Sequence, residues 1–250
     1  MEMRFKITRF DPGVDEKPYY KEYGLEAEPG ERILDCLNRI KWEQDGTLGF
    51  RASCGHGVCG SDGMRINGRC ALACQKLVKE YEGEEVVIEP LPSFKVLKDL
   101  VVDLDPFFEK VRLMKPYLIA DGAPPARERL QAPEESKKVD VAIRCILCAC
   151  CMGSCPVVNE NEQFLGPAPL VWAFRFIFDS RDSRSLERLK AVDYPDGAHA
   201  CANYFECTRS CPKEISVTKY INRIKREIQK TLNETIYGYI KILASGSDQG

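Results

Sequence analysis

The sequence predicts an α+β chain in two parts, a small sheet-containing domain followed by an all-α domain. Three observations carry this. Apolar residues alternate along the early segments but recur at helical spacing in the later ones. The cysteines fall into separated groups: Cys54 to Cys74, Cys145 to Cys155, and Cys201 to Cys211, with Cys36 alone. A cysteine-free stretch between Cys74 and Cys145 divides the first group from the others. A length of 250 residues accommodates two ordinary domains, each with a core of its own. We place the boundary so that the domains are 1–104 and 105–250.

The elements follow in order. MRFKITRF alternates like a strand, and a turn at Asp11-Pro12-Gly13 leads to a second strand around Tyr19–Leu25. ERILDCLNRIKWE has Ile33, Leu34, Leu37 and Ile40 at helical spacing, with Cys36 on its inner face. A cysteine loop comes next, then short strands near Met64–Ile66 and Val86–Glu89. That order is expected of a β-grasp ferredoxin. The helical part opens at Asp105-Pro106 and runs at helical spacing through PFFEKVRLMKPYLI. DGAPPARERLQAPEESKK, rich in proline and charge, is a surface loop. Both later cysteine runs sit between helical segments. The tail ETIYGYIKILASG is more apolar than a free end needs; it extends the last helix or packs on a partner.

A net charge of −2 with 30% charged residues leaves no basic excess for nucleic acid. Thirteen cysteines behind a charged, alternating MEMRFKITRF point to metal or redox chemistry rather than secreted disulfides. No transmembrane span is expected, because PLVWAFRFIF is broken by Arg175 and falls short of the about 20 residues that cross a bilayer. Any work at a membrane therefore goes through a partner. With two histidines, no catalytic constellation forms. His56 lies inside the first loop, as a hydrogen-bond donor or as loop filler, and His199 reads as a surface residue. Lys219, Arg223, Lys225, Arg226 and Lys230 read as a solvated helix face.

Cys145, Cys148, Cys151 and Cys155, followed by Pro156, spell the C-x2-C-x2-C-x3-C-P run of bacterial ferredoxins. Cys201, Cys207 and Cys211, followed by Pro212, fit the same frame with Tyr204 in the second slot. In such pairs the fourth cysteine of each run serves the other cluster. Cys145, Cys148, Cys151 and Cys211 then hold a 4Fe–4S cluster. Cys155, Cys201 and Cys207 are three thiolates without a fourth, the set a 3Fe–4S cluster takes. Structural zinc, which favours two separated pairs, fits these interlocked runs poorly. Cys150 is a spare buried thiol.

CGHGVCGSDG opens a plant-type loop, C-x4-C-x2-C with a fourth cysteine further on, but its third place is Asp62. The 2Fe–2S donors are then Cys54, Cys59, Asp62 and Cys74, since a carboxylate also binds iron. Cys70 is the alternative third donor but stands off the frame, so loop position favours Asp62. Gly55, Gly57 and Gly60 spell G-x-G-x-x-G, yet the strand and helix that a dinucleotide site needs are missing around them. Their task is close backbone approach to a cluster.

This ordered trio of clusters resembles the iron–sulfur subunit of succinate dehydrogenase and fumarate reductase. GVCGSDGMRINGRCALAC, PLPSFKVLKDLVVD, CILCACCMGSCP and FLGPAPLVWAFRFIFDSRD extend the resemblance over nearly the whole chain, weakening after about residue 227. In that family aspartate is a known variant at the third 2Fe–2S position and coordinates iron. The resemblance implies an electron-transfer subunit, peripheral on the cytoplasmic face of the cell membrane. It would pass electrons between an FAD-containing flavoprotein subunit and a quinone held by a membrane anchor, with or without haem b. The 2Fe–2S cluster would lie nearest the flavin and the 3Fe–4S cluster nearest the quinone. Many ubiquinone-linked members have tryptophan where this chain has Glu160 and histidine where it has Ala202, while Pro156 is kept. With Tyr204, these residues stand on the quinone side, and the departures favour a menaquinone-type partner. Two other readings are a subunit of a thiol-linked fumarate or heterodisulfide-type reductase, which often adds a cysteine-rich domain, and a free-standing ferredoxin. The apolar segments Val171–Phe178 and Ile236–Leu243 weigh against the last.

Overall fold

Alternation in MRFKITRF buries Met3, Phe5 and Ile7 on one face of β1 (Glu2–Arg9), and this strand is the centre about which the first part is built. The computed structural model describes residues 1–246, with side chains through Glu234. β2 (Tyr19–Glu26) pairs antiparallel with β1 from Glu2↔Glu26 to Arg9↔Tyr19. β3 (Gly63–Ile66) and β4 (Arg69–Leu72) form a hairpin, and β5 (Glu85–Glu89) lies parallel to β1. The sheet order is β2-β1-β5-β3-β4. A parallel β1–β5 pair cannot be closed by a hairpin, so the intervening chain crosses the sheet and carries the cysteine loop with it.

α1 (Ile33–Arg39) buries Ile33, Leu34 and Leu37 against the sheet. The helix then widens into one π-helical turn, Ile40–Gln44, which keeps Ile40 buried and leaves Trp42 exposed. A short hairpin, β6 (Val96–Lys98) and β7 (Val101–Val102), leads into α2 (Asp105–Leu113). α2 is shorter than the spacing of PFFEKVRLMKPYLI predicts. Lys115 is left-handed (φ 47°) and Pro116 follows, so the helix stops and the remainder becomes a strap.

From Asp105 onward the described elements are helices. They are α3 (Pro133–Ser136), α4 (Asp140–Ile143), α5 (Cys150–Gly153), α6 (Pro156–Glu160), α7 (Pro167–Ile177), α8 (Ser185–Val192), α9 (Glu206–Arg209) and α10 (Val217–Gly246). α3 is one short turn inside the otherwise exposed Pro-rich loop. α7 is the hub: Leu170, Val171, Phe174, Phe176 and Ile177 are buried, and Phe174 stacks on Tyr220 of α10 with ring centroids 4.3 Å apart. The apolar segment Val171–Phe178 is therefore largely core. The tail segment Ile236–Leu243 continues α10, but its side chains lie outside the described residues.

Two buried arginines clamp the loops. Arg188 donates from Nε and Nη2 to both Asp182 oxygens, at 3.1 and 2.9 Å, and to the carbonyls of Met114, Lys115 and Tyr117, each at 2.7 Å. These bonds hold the strap after α2. Arg9 donates to Asp99 (3.0 Å), Tyr23 (2.6 Å), Asp45 (2.6 Å) and Thr47 (2.9 Å), tying β1 to the turn before the cysteine loop and to the β6–β7 turn. Burial works to raise the Asp45 pKa, but hydrogen bonds from Lys21, Thr47, Tyr23 and Arg9 hold its carboxyl well below the ordinary range.

Arg9→Met keeps the bulk and leaves the Asp99 carboxylate, 2% exposed, without its cation. Breaking one side of a buried pair costs about 3–5 kcal/mol. The expected outcome is a loss of that size in urea-melt stability.

Candidate metal centres

Each cysteine group is shaped by local backbone that only certain residues tolerate. In the first loop Gly55, Gly57 and Gly60 take φ of 68°, 74° and 72°, so the chain curls back on Cys54. The N–H groups of His56, Val58 and Cys59 point at Cys54 Sγ at 3.5, 3.4 and 3.3 Å. Those donors pull the Cys54 thiol down to about 6. Cys54 N–H in turn faces Cys59 Sγ at 3.5 Å. A nest of N–H groups favours thiolate, the form that binds metal. The Arg32 guanidinium holds the Gly55 carbonyl from below. The His56 ring sits 2.5 Å from the Cys54 carbonyl and is exposed, so its contact is with loop backbone.

Asp62 is 2% exposed, and its Oδ2 accepts the Cys74 N–H at 2.6 Å. Burial first, then the hydrogen bond and charge of Asp62, push the Cys74 thiol up to about 12. Two acidic donors buried together repel unless a cation lies between them, so this pair fits a metal cluster. Cys70 faces elsewhere: its sulfur lies 3.3 Å from where a Cβ on Gly153 of α5 would be. Cys36 is fully buried in the core, and burial raises its thiol to about 12.

The second and third groups share one backbone device. Leu147 (φ 55°) and Ala149 (φ 62°) flank Cys148, and Asn203 (φ 61°) and Phe205 (φ 64°) flank Tyr204. A left-handed residue other than glycine costs about 1–2 kcal/mol. Two such pairs at matching places mean that both runs fold to one template, with Tyr204 standing where Cys148 stands. One-turn helices α5 and α9 follow in each case. Cys145, Cys148, Cys151 and Cys211 line one cavity, together with Ala168, Val171 and Ile215. Cys155, Cys201 and Cys207 line another with Pro156, Ala202 and Tyr204. Glu160 is not brought there: it ends α6 on the exposed side, away from that cavity.

Burial pushes the Cys145 thiol up to about 11, and raises those of Cys151, Cys155, Cys207 and Cys211 as well. Among the described residues no three histidine, cysteine, aspartate or glutamate side chains converge closely enough to hold a single metal ion. Donors spread around a cavity suit a cluster, whose iron atoms lie apart, and the all-sulfur sets suit iron–sulfur chemistry.

Several supporting residues escape the cysteine frames. The Trp172 indole N–H is buried without a hydrogen-bond partner, near enough to Cys145 to offset part of the effect of burial on its thiol. Its helical spacing from Ala168 was the available signal. Lys225 donates to the Cys201 carbonyl at 2.7 Å, and Arg223 lies 5.0 Å from the centre of the Phe174 ring. Those two cations of the basic stretch work inside the protein. His199 bonds Asp193 at 2.8 Å on the surface.

The first loop touches the second run directly. A Cβ on Gly60 would lie 2.9 Å from Cys148 Cβ, and one on Gly63 would lie 2.8 Å from the Cys148 carbonyl oxygen. Lys213 reaches from after the third run to the Gly57 carbonyl at 3.5 Å.

Comparison with known proteins matches residues 4–109 to a 2Fe–2S iron–sulfur cluster binding domain and 141–215 to a 4Fe–4S dicluster domain. The succinate dehydrogenase iron–sulfur subunit of Coxiella burnetii is 44% identical over 239 residues, 94% of this chain and 100% of that one. The mitochondrial succinate dehydrogenase [ubiquinone] iron–sulfur subunit of Candida glabrata is 40% identical, over 90% of each chain. A chain of the Mycobacterium smegmatis Sdh1 complex in its apo form superposes with a TM-score of 0.84 at 26% identity, covering 92% of this chain and 96% of that one.

Gly60→Ala combines a positive φ of 72° with a contact under 3 Å. The strain and the overpacking together are expected to cost about 2 kcal/mol or more, read as a lowered urea midpoint. The displaced loop is also expected to slow electron transfer from the first centre to the second, measured by rapid-freeze reduction kinetics.

Proposed function

This chain belongs to the family of succinate dehydrogenase iron–sulfur subunits, and from that premise we propose that it is the electron-transfer subunit of a succinate:quinone oxidoreductase. Succinate or fumarate chemistry then belongs to a partner flavoprotein carrying FAD. The quinone belongs to a membrane anchor, with this subunit peripheral to it on the cytoplasmic face. Among the described residues no helix is long and apolar enough to cross a membrane. The observation that carries the reading is that Cys74 of the first set and all of the second and third sets pack on one continuous core, with Gly60 and Gly63 of the first loop close against Cys148.

In this reading residues 1–104 form a β-grasp domain of plant type, and 105–250 form an α-helical domain of bacterial-ferredoxin type. Cys54, Cys59, Asp62 and Cys74 hold a 2Fe–2S cluster. Cys145, Cys148, Cys151 and Cys211 hold a 4Fe–4S cluster, and Cys155, Cys201 and Cys207 a 3Fe–4S cluster. Bound there, the clusters supply one-electron carriers. The chain's own part is to fix their spacing and to adjust the charge that each sulfur bears. The glycine loop gives the first set backbone donors. α7 covers the second set with apolar side chains and one indole. Asp62 is favoured over Cys70 because its carboxylate lies against Cys74, whereas Cys70 faces α5. Pro156, Ala202 and Tyr204 at the third cavity form the side proposed to meet quinone.

Low-temperature EPR on the complex, purified through a tag on this chain, tests the assignment. We expect a signal in the oxidised state from the third centre and a 2Fe–2S signal on reduction. An oxidised protein without a signal would sink the three-cluster reading. Asp62→Cys is expected to retain the 2Fe–2S signal with a changed potential, and loss of that signal would count against Asp62 as a ligand position.

Tyr204→Cys places a thiol on the backbone template that carries Cys148. The expected outcome is loss of the oxidised-state signal and gain of a second reducible 4Fe–4S signal. Persistence of the original signal would show that the slot does not face the cluster.

A further inference from the structure

Thr218 begins the first turn of α10 and is 1% exposed, a hydroxyl buried beside Val217, Tyr220 and Ile221. Its Oγ1 lies 3.4 Å from Cys207 Sγ and 3.2 Å from Thr208 Oγ1. The Thr218 N–H, one of the unsatisfied donors at a helix start, is taken by Thr208 Oγ1 at 3.1 Å. Distances alone leave the direction of the hydroxyl bonds open. Chemistry fixes it, because a ligating thiolate has no proton and can only accept. Thr218 O–H therefore donates to the sulfur. Its oxygen then accepts from Thr208 O–H, and the Thr208 oxygen accepts the Thr218 N–H. Each hydroxyl in this chain of bonds both gives and takes, so each polarises the next.

Capping does not explain the Thr218 hydroxyl. Thr208 alone satisfies the helix N–H, and a valine would fill the buried Thr218 position without the cost of a buried hydroxyl. Cys155 and Cys211, by contrast, receive backbone N–H groups from Val157, Val158, Lys213 and Ile215. At Cys207 the donor is a hydroxyl, that of Thr218.

We propose that Thr218, oriented by Thr208, is a positioning and tuning residue that raises the reduction potential of the third centre through its hydrogen bond to Cys207 Sγ. The proposal rests on the assignment of Cys155, Cys201 and Cys207 to a 3Fe–4S cluster. A hydrogen bond to a ligand sulfur favours the more negative, reduced state, so removing it lowers the potential.

The test is a redox titration of the oxidised-state EPR signal in the tagged complex, for the unsubstituted chain and for Thr218→Val, Thr218→Ser and Thr218→Ala. The expected result is a lower midpoint in the Val and Ala variants and a near-unsubstituted midpoint with Ser, while the other two centres keep theirs. Thr208→Val is expected to give a smaller fall. Ser and Ala differ by one oxygen, so their comparison decides the matter even if Val disturbs the packing. Equal midpoints for Ser and Ala overturn the proposal and leave the cluster assignment standing. A missing oxidised-state signal in the unsubstituted complex overturns the assignment, and the proposal with it.

Discussion

The structure turns on a conflict between burial and ionisation. A cysteine binds metal as thiolate, yet dry surroundings favour the neutral thiol. Burial lifts Cys145 to about 11 and, with Asp62, lifts Cys74 to about 12, so both favour the neutral thiol near pH 7. Where burial raises a thiol in this way, its thiolate form needs a positive centre beside it. With clusters held as proposed, metal binding would offset both the lost protons and the left-handed strain at Leu147, Ala149, Asn203 and Phe205, and folding and cluster assembly would be linked. The first loop resolves the conflict differently. It stays near solvent, and three backbone N–H groups bring Cys54 down to about 6.

That difference explains why the first loop is rich in glycine and the other runs are not. Three backbone donors crowd round Cys54 because φ turns positive at Gly55 and Gly57. Gly60 has a second reason, since Cys148 occupies the space a side chain would need. The contact between the first and second donor sets is thus made by absent side chains. Around it the two parts share one apolar core, in which Met64, Leu91 and Val102 of the first part join Ala149, Cys150 and Met152 of the second. Electron transfer between neighbouring centres needs such a fixed separation, and a flexible linker would not hold it.

Legibility followed the range of the interaction. The cysteine frames, the Tyr204 slot, the glycine loop and the strands β1 and β2 are patterns within short windows, and the sequence displays them. The end of α2 was legible too, because Pro116 follows Lys115, but helical spacing alone carried the expectation past it. The π-helical turn at Ile40–Gln44 has no comparable local mark, whereas β4 was marked by the Asn67-Gly68 turn that precedes it. The arginine clamps join residues far apart: Arg9 to Asp99, and Arg188 to Met114, Lys115 and Tyr117. The family resemblance places Glu160 on the quinone side; in the fold it ends α6, exposed and outside the lining of the third cavity.

The donor sets differ in where their hydrogen bonds come from, and the difference has a physical logic. An exposed loop can spare backbone N–H groups, since water satisfies whatever the sulfur leaves. In α5 the backbone is already committed, with Met152 and Gly153 N–H bonded to the Ala149 carbonyl. Part of the donation to an interior sulfur then comes from a neighbouring element, as with the Thr218 hydroxyl of α10 toward Cys207. Such donors belong to helices that are not themselves cysteine runs. They can be exchanged without disturbing the ligand frame, so the potential of an interior centre can change while its spacing and geometry stay fixed. A protein whose task is to keep centres in line and differ only in how readily each accepts an electron gains from that separation of roles.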